Sequence, residues 1–425
     1  MKSQAFTLKN GLRFVVVDTK AFPTLSALLL VGAGSRYENK INNGVAHFFE
    51  HMAFKGSKKY PNSFVIASTI EGLGGVFNAF TAKDHTGYWI KATNEHFVTL
   101  VDVLSDMVLS SFLLEEEIQR EKGVIVEELN LYEDTPYRKV GELFENLLYR
   151  DNPLGFDIGG TKSTVTKFSR DTFVDYMNQL YHPKNAVFVV AGSLNDIDKY
   201  KEIVEEKFSN WQDGKKAECD KVIEKQEKPQ IILRHKKTEQ THFVLGFRAY
   251  PFTDKRRYEL LLLSAILGGG MASRLFIEVR ERRGLCYYIS TQRELYYDVG
   301  NFYTSAGITN DIDKVKEAIE VILKEHKKIS QGEVKQEQLS MAKELVKGRL
   351  LLSLEDSFNL ANFYGSRLLL EEEVISPQQV INNIEKVRLE DVILVAQDIF
   401  KPEKLNFALI GPYEKKEEFE SVLTI

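Results

Sequence analysis

The 425-residue sequence is poor in the features that mark several large classes of protein. It has 2 cysteines, Cys219 and Cys286, standing alone without C-x-x-C spacing. That excludes a disulfide framework and a cysteine zinc cluster, and it fits a reducing, cytoplasmic setting. Apolar runs such as Leu25–Val31 and Leu260–Leu263 fall far short of the roughly 20 residues that span a bilayer, so no membrane partner is expected. The segment Met1–Thr7 lacks the apolar core of a secretory signal. Basic excess is absent too: 56 Lys and Arg against 61 Asp and Glu give a net charge of -5. No stretch is basic enough to argue for nucleic acid or an anionic lipid surface. What remains is 43% hydrophobic and 28% charged, the balance of a globular protein, and long enough for two to three domains.

Histidine is also scarce, 8 in all, yet two of them stand four apart in the segment Gly44–Phe54. Asn43 before it is a good helix N-cap and Gly56 after it a good stop. On a helix, His47 and His51 share a face one turn apart, with Glu50 beside them. Two imidazoles so placed can grip one zinc ion, and a carboxylate next to them can accept a proton from water. The order is H-x-x-E-H, the reverse of the commoner H-E-x-x-H. A catalytic zinc needs a further protein ligand, and the acidic helical stretch Glu115–Tyr132 is the source expected. Glu121 and Glu128, seven apart, point the same way on a helix, while Glu127 lies about a third of a turn from Glu128. Glu115, Glu116 and Glu117 read as a solvated acidic face.

Along the chain, Gly11–Val17 and Leu25–Val31 read as strands, and Val76–Phe80 with Thr86–Ala92 as a hairpin after the histidine helix. Between Phe208 and Gln230 the sequence turns polar and charged, which suggests a linker at 214–230 between domains at 1–213 and 231–425. The second half then echoes the first. Val165–Ser193 aligns without a gap on Ile384–Pro412 at a constant shift of 219, with Pro183 on Pro402 and Gly192 on Gly411. Agreement over a whole helix-then-strand unit, in the corresponding place of each half, argues for a duplicated domain. The histidine motif is not duplicated.

His47-Phe48-Phe49-Glu50-His51, followed at a distance by Glu128, resembles the inverzincin metallopeptidases: pitrilysin, insulin-degrading enzyme and the mitochondrial processing peptidase with its bacterial relatives. Phe54-Lys55-Gly56, Asn78-Ala79-Phe80-Thr81, Val124–Glu128, Tyr132–Pro136 and Arg274–Arg280 are similar to the bacterial branch, so the likeness covers essentially the whole chain. The resemblance implies an α+β fold of two homologous domains, each a mostly antiparallel sheet covered by helices. It implies His47, His51 and Glu128 as ligands of one zinc per chain, Glu50 as the general base, and Glu121 as an acidic residue supporting the site without binding metal. Asn78 and Ala79 match positions on an edge strand where peptide lies as an added strand. Arg280 and Tyr287 match a pair that holds the substrate backbone and the oxyanion. Processing peptidases carry Arg after Pro153-Leu154-Gly155, whereas Phe156 stands here, which argues against presequence specificity. The expected activity is zinc endopeptidase cleavage of unfolded peptides in an enclosed chamber. The competing expectation is a non-catalytic structural or peptide-binding subunit of the same fold. Both halves of the matched site occur in one sequence, so a homodimer with active sites completed in trans is expected.

Overall fold

The computed structural model describes residues 2–216, 218–371 and 373–425. They form two compact units of α+β structure. The first holds a six-stranded sheet of β1 (Lys2–Thr7), β2 (Arg13–Asp18), β3 (Thr24–Val31), β4 (Val76–Thr81), β5 (Thr86–Thr93) and β6 (Ala186–Gly192), in the order β1-β2-β6-β3-β5-β4. The second holds five strands, β7 (Gln230–His235), β8 (Gln240–Ala249), β9 (Cys286–Leu295), β10 (Gly300–Thr309) and β11 (Leu405–Gly411), in the order β7-β11-β8-β10-β9. Removing β1 makes the two orders equivalent. Each sheet has one parallel pair, β2 with β6 and β7 with β11, and is otherwise antiparallel.

The internal repeat maps onto this equivalence. Helix Arg170–Leu180, a 3-10 turn at Pro183–Asn185 and β6 recur as helix Leu389–Ile399, a 3-10 turn at Pro402–Lys404 and β11. Proline suits the first position of such a turn, where its missing N–H costs nothing. Both closing strands are buried along their whole length, as continuous apolar runs demand.

The units are not contiguous in sequence. The first comprises Met1–Asn130, Phe156–Asp220 and Leu351–Ser376; the second Leu131–Gly155, Lys221–Leu350 and Pro377–Ile425. A division at 213 and 231 therefore misses two exchanged segments. Helix Pro136–Leu148 comes from the first half of the sequence and packs on β8 and β11 of the second unit. Its Phe144 ring occupies the space where a Cβ on Gly246 would lie, 2.7 Å from Cζ. Helix Ser357–Leu370 comes from the second half and packs on β3 and β6 of the first unit. There Gly365 lets the helix approach, since a Cβ would sit 2.6 Å from Leu30 Cδ1. Each helix supplies the apolar cover that one face of its sheet requires. The other face of the first sheet carries the core of Phe14, Val16, Leu29, Phe188 and Val190, into which the histidine helix inserts Phe48, Phe49 and Met52.

Candidate metal centre

The histidine helix runs Val45–Ala53, and Val45, Ala46, Phe48, Phe49, Met52 and Ala53 are buried. That leaves His47, Glu50 and His51 together on the remaining, half-buried face. The start of this helix differs from the expectation. Its cap position is Gly44, at φ +98 in the left-handed region, and Asn43 does not cap it. The side chain of Asn43 instead donates to Glu38 Oε2 and the Asp157 carbonyl, at 2.9 and 3.0 Å. The capping acceptor is Glu38, whose carboxylate receives the Gly44 and Ala46 N–H groups at 2.8 Å each. No short-range sequence pattern announces a cap that reaches back from so far upstream.

The acidic helix extends over Glu115–Glu133, with Glu121 buried and Glu128 partly so. Glu127 is exposed, turned away from both, as the helical angle requires. Glu128 Oε2 lies 3.7 Å from His47 Nε2 and 3.5 Å from His51 Nε2. Two donors each bound about 2.0–2.1 Å from a tetrahedral zinc are about 3.4 Å apart, so these spacings fit a shared ion without rebuilding. Among the described residues, His47, His51 and Glu128 are the one group of three or more His, Cys, Asp and Glu able to hold a metal, with ligand atoms within 4.8 Å of one another.

The surrounding charges suit that role. Burial pushes His47 down to about 4, assisted by His51 and opposed by Glu128, so His47 is neutral and able to ligate at neutral pH. For His51 burial acts downward, but a hydrogen bond to Glu121 and the nearby carboxylates outweigh it and raise the pKa. His51 Nδ1 is 2.9 Å from Glu121 Oε1. With the proton on Nδ1, that bond turns the Nε2 lone pair toward Glu128. Burial opposes ionisation of Glu121, yet its hydrogen bonds with His51 and Lys55 hold its pKa below the ordinary carboxylate value.

Glu50 is no part of the ligand group. Its Oε2 accepts a 2.6 Å hydrogen bond from Thr81 Oγ1, at the end of β4. Burial raises its pKa, with the Thr81 bond pulling the other way. β4 is the edge of the first sheet, paired among the described residues with β5 alone. Asn78 and Ala79 lie in it, Asn78 exposed, and the Ala79 N–H donates to Asn78 Oδ1 at 2.9 Å. The strand thus joins an open edge to the carboxylate beside the metal group.

Arg280 and Tyr287 lie together in the second unit. The Arg280 guanidinium is 5.9 Å from the Tyr287 ring centre and 4.8 Å from that of Phe276. Tyr287 is 74% exposed. Arg280 sits in a π-helical stretch, Phe276–Glu281, a local widening that is frequent at functional sites. Three residues around the metal group have roles that the sequence motifs do not reveal: Thr81, Lys55 and Glu38. Thr81 stands within the Asn78–Thr81 motif, and Lys55 stands one helical turn beyond His51, which are the signals available for them.

Comparison with known proteins agrees with this geometry. Residues 13–162 match the family described as insulinase (peptidase family M16), and residues 167–346 match the peptidase M16 inactive domain. An uncharacterised zinc protease of Bacillus subtilis, YmxG, is 35% identical over 410 residues, covering 96% of this chain and 98% of its own. A protease of Helicobacter pylori of known crystal structure superposes with a TM-score of 0.90 at 24% identity, covering 97% of this chain and 99% of that one. A peptidase M16 inactive domain from Pseudomonas fluorescens gives a TM-score of 0.88 at 18% identity, with 97% and 98% coverage. At such identity these two structures speak for the fold alone.

Proposed function

The chain belongs to the insulinase family of peptidases, M16, and from that premise we propose that it is a zinc-dependent endopeptidase of unfolded peptides and oligopeptides. The observation that carries the proposal is the meeting of His47, His51 and Glu128 with Glu50 at the end of an open edge strand.

One zinc per chain, held by His47 Nε2, His51 Nε2 and Glu128, would supply a Lewis acid for the scissile carbonyl and lower the pKa of water toward ~7. The chain's own residues do the rest. A peptide pairs with β4 along Asn78 and Ala79, so backbone hydrogen bonds set its register with little demand on sequence. Glu50 takes a proton from the attacking water and returns it to the leaving amine. Its burial makes it a stronger base than an exposed carboxylate, and Thr81 fixes one of its oxygens. Glu121 orients His51. Arg280 and Tyr287 are donors suited to the substrate backbone and the developing oxyanion. They stand in a different compact unit from the metal group, and we assign the working enzyme as a homodimer in which one chain offers its metal group and the other its Arg280–Tyr287 pair. The lone cysteines suit a cytoplasmic location.

The Pseudomonas fluorescens structure described as an inactive domain keeps a second reading in view, a non-catalytic subunit of this fold. A mixed peptide library read by mass spectrometry separates the two. Cleavage that a chelator abolishes and zinc restores supports the peptidase. No cleavage by protein carrying stoichiometric zinc would leave the non-catalytic subunit.

A further inference from the structure

Lys55 stands just past the end of the histidine helix, four residues after His51. Its ammonium is directed inward. Lys55 Nζ forms an ion pair with Glu121 Oε2 at 2.5 Å, and its side chain is 26% exposed against 4% for Glu121. Glu121 Oε1 is the atom that meets His51 Nδ1, at 2.9 Å. The two carboxylate oxygens are therefore divided, one to the ammonium and one to the imidazole, and His51 Nε2 continues the line to Glu128 Oε2 at 3.5 Å.

We propose that Lys55 is a positioning residue of the metal centre, acting through Glu121 to fix the ring of His51. This rests on the zinc reading above. A carboxylate with 4% of its side chain exposed cannot rely on water to balance its charge. Lys55 supplies that balance and also removes a degree of freedom. With Oε2 tethered, the Glu121 carboxylate cannot turn about its last bond without breaking an ion pair, so Oε1 stays in line with Nδ1. Without Lys55, a buried carboxylate is left with one oxygen uncompensated and free to reorient, and the imidazole loses its stop. The short connection along one helix end and one helix face makes the relay stiff. His51 and Lys55 are four residues apart, and Glu121 faces both from the acidic helix. Glu128 meets His51 at the other ring nitrogen, Nε2, 3.5 Å away, so it acts on a different atom from the one that Glu121 holds.

Zinc affinity, measured by competition with a chromophoric chelator, tests the relay in the full-length protein, with kcat and KM on a cleaved peptide as the second readout. Outer partners of a ligating histidine commonly govern ~10–100-fold in metal affinity. Lys55→Met should lose about 10-fold or more in zinc affinity and lower kcat while leaving KM near the wild-type value. Lys55→Arg should restore most of both, because a guanidinium can hold the same oxygen. The decisive comparison is in a Glu121→Gln background. There Lys55→Met should change zinc affinity by less than about 2-fold, since the intermediary is already gone. Should Lys55→Met not fold, Lys55→Gln is read in the same way. Unchanged affinity and kcat in folded Lys55 variants overturn the relay. So does a loss that persists undiminished beside Glu121→Gln. Wild-type protein that takes up no zinc would overturn the zinc reading itself, a result distinct from either.

Discussion

Thr81 Oγ1 donates to Glu50 Oε2 at 2.6 Å, linking the last residue of the edge strand to the carboxylate beside the metal group. The bond engages one oxygen and leaves Oε1 for a proton, so under the proposed function the same strand would set the position of both peptide and base. Glu50→Gln keeps the acceptor for Thr81 and removes only the basicity. Zinc content should therefore stay at one per chain while turnover falls by ~10²–10⁴. Metal analysis beside a peptide-cleavage assay checks both halves. A variant that loses zinc would make Glu50 a ligand and overturn its role as base.

Glu127 and Glu128 are neighbours with opposite expectations. Glu128 Oε2 is within 3.7 Å of both histidine Nε2 atoms, whereas Glu127 is exposed. Glu128→Gln should weaken zinc binding severely, with loss of cleavage, and Glu127→Gln should leave both within about 2-fold, as surface changes away from partners do. Zinc titration of the two variants decides it. The reverse outcome would shift the register of the acidic helix by one residue.

Strand addition at β4 predicts selection by backbone and not by side chain. Flexible peptides should be cut and stable globular proteins spared. Methylating backbone nitrogens on either side of the scissile bond should raise KM, because each methyl deletes a hydrogen bond worth about 0.5–1.5 kcal/mol net. The Ala79 N–H donates to the Asn78 carboxamide at 2.9 Å, so a peptide that took this N–H would have to displace that bond. Equal KM values for methylated and plain peptides would rule out pairing at this edge.

A titration far from the metal group should limit stability in acid. His326 is fully buried against Phe247 and Phe400, with ring centres 5.5 and 4.4 Å away. Burial lowers its pKa from 6.5 to about 3. The unfolded chain takes up this proton near 6.5 and the folded chain does not, so the folded state binds fewer protons between those values. Stability is lost as pH falls through that window, by up to about 1.4 kcal/mol per pH unit from this group. His326→Leu should therefore gain roughly 2 kcal/mol on wild type between pH 6.5 and 5. Thermal unfolding of both proteins at the two pH values tests this, and a difference independent of pH would mean the imidazole is not held neutral.

The parts of the molecule legible in the sequence are those with local periodicity. His47, Glu50 and His51 share a face because a helix repeats every 3.6 residues, and the seven-residue spacing of Glu121 and Glu128 follows from the same number. The repeat at a shift of 219 was readable because helix, Pro turn and buried strand each leave a pattern. What the pattern could not reveal depends on distant segments. The exchange of helices Pro136–Leu148 and Ser357–Leu370 is a matter of which sheet face lacked cover, and no local signal encodes it. Glu38 caps the histidine helix from outside it, and Lys55 finds Glu121 across a gap of 66 residues in sequence. Such contacts exist only once the chain has closed on itself.

The proposed homodimer makes a prediction that a single chain cannot satisfy. The metal group and the Arg280–Tyr287 pair belong to separate compact units of one sequence. If two chains face each other, the metal group of each is served by Arg280 and Tyr287 of its partner, and a twofold arrangement has two equivalent sites. Glu50→Gln and Tyr287→Phe then damage different halves of one composite site. Each homodimer should be nearly inactive, since both of its sites carry the same defect. In a mixed dimer the two defects fall together in one site. The intact metal group and Glu50 of the Tyr287→Phe chain meet the intact Tyr287 of the Glu50→Gln chain in the other. Random exchange makes about half of the dimers mixed, each with one good site, so activity should return to about a quarter of wild type. Exchange can be followed by mass spectrometry of differently tagged chains, and the same sample assayed for cleavage. Confirmed mixed dimers with no recovered activity would mean that Tyr287 serves its own chain, or serves no site at all.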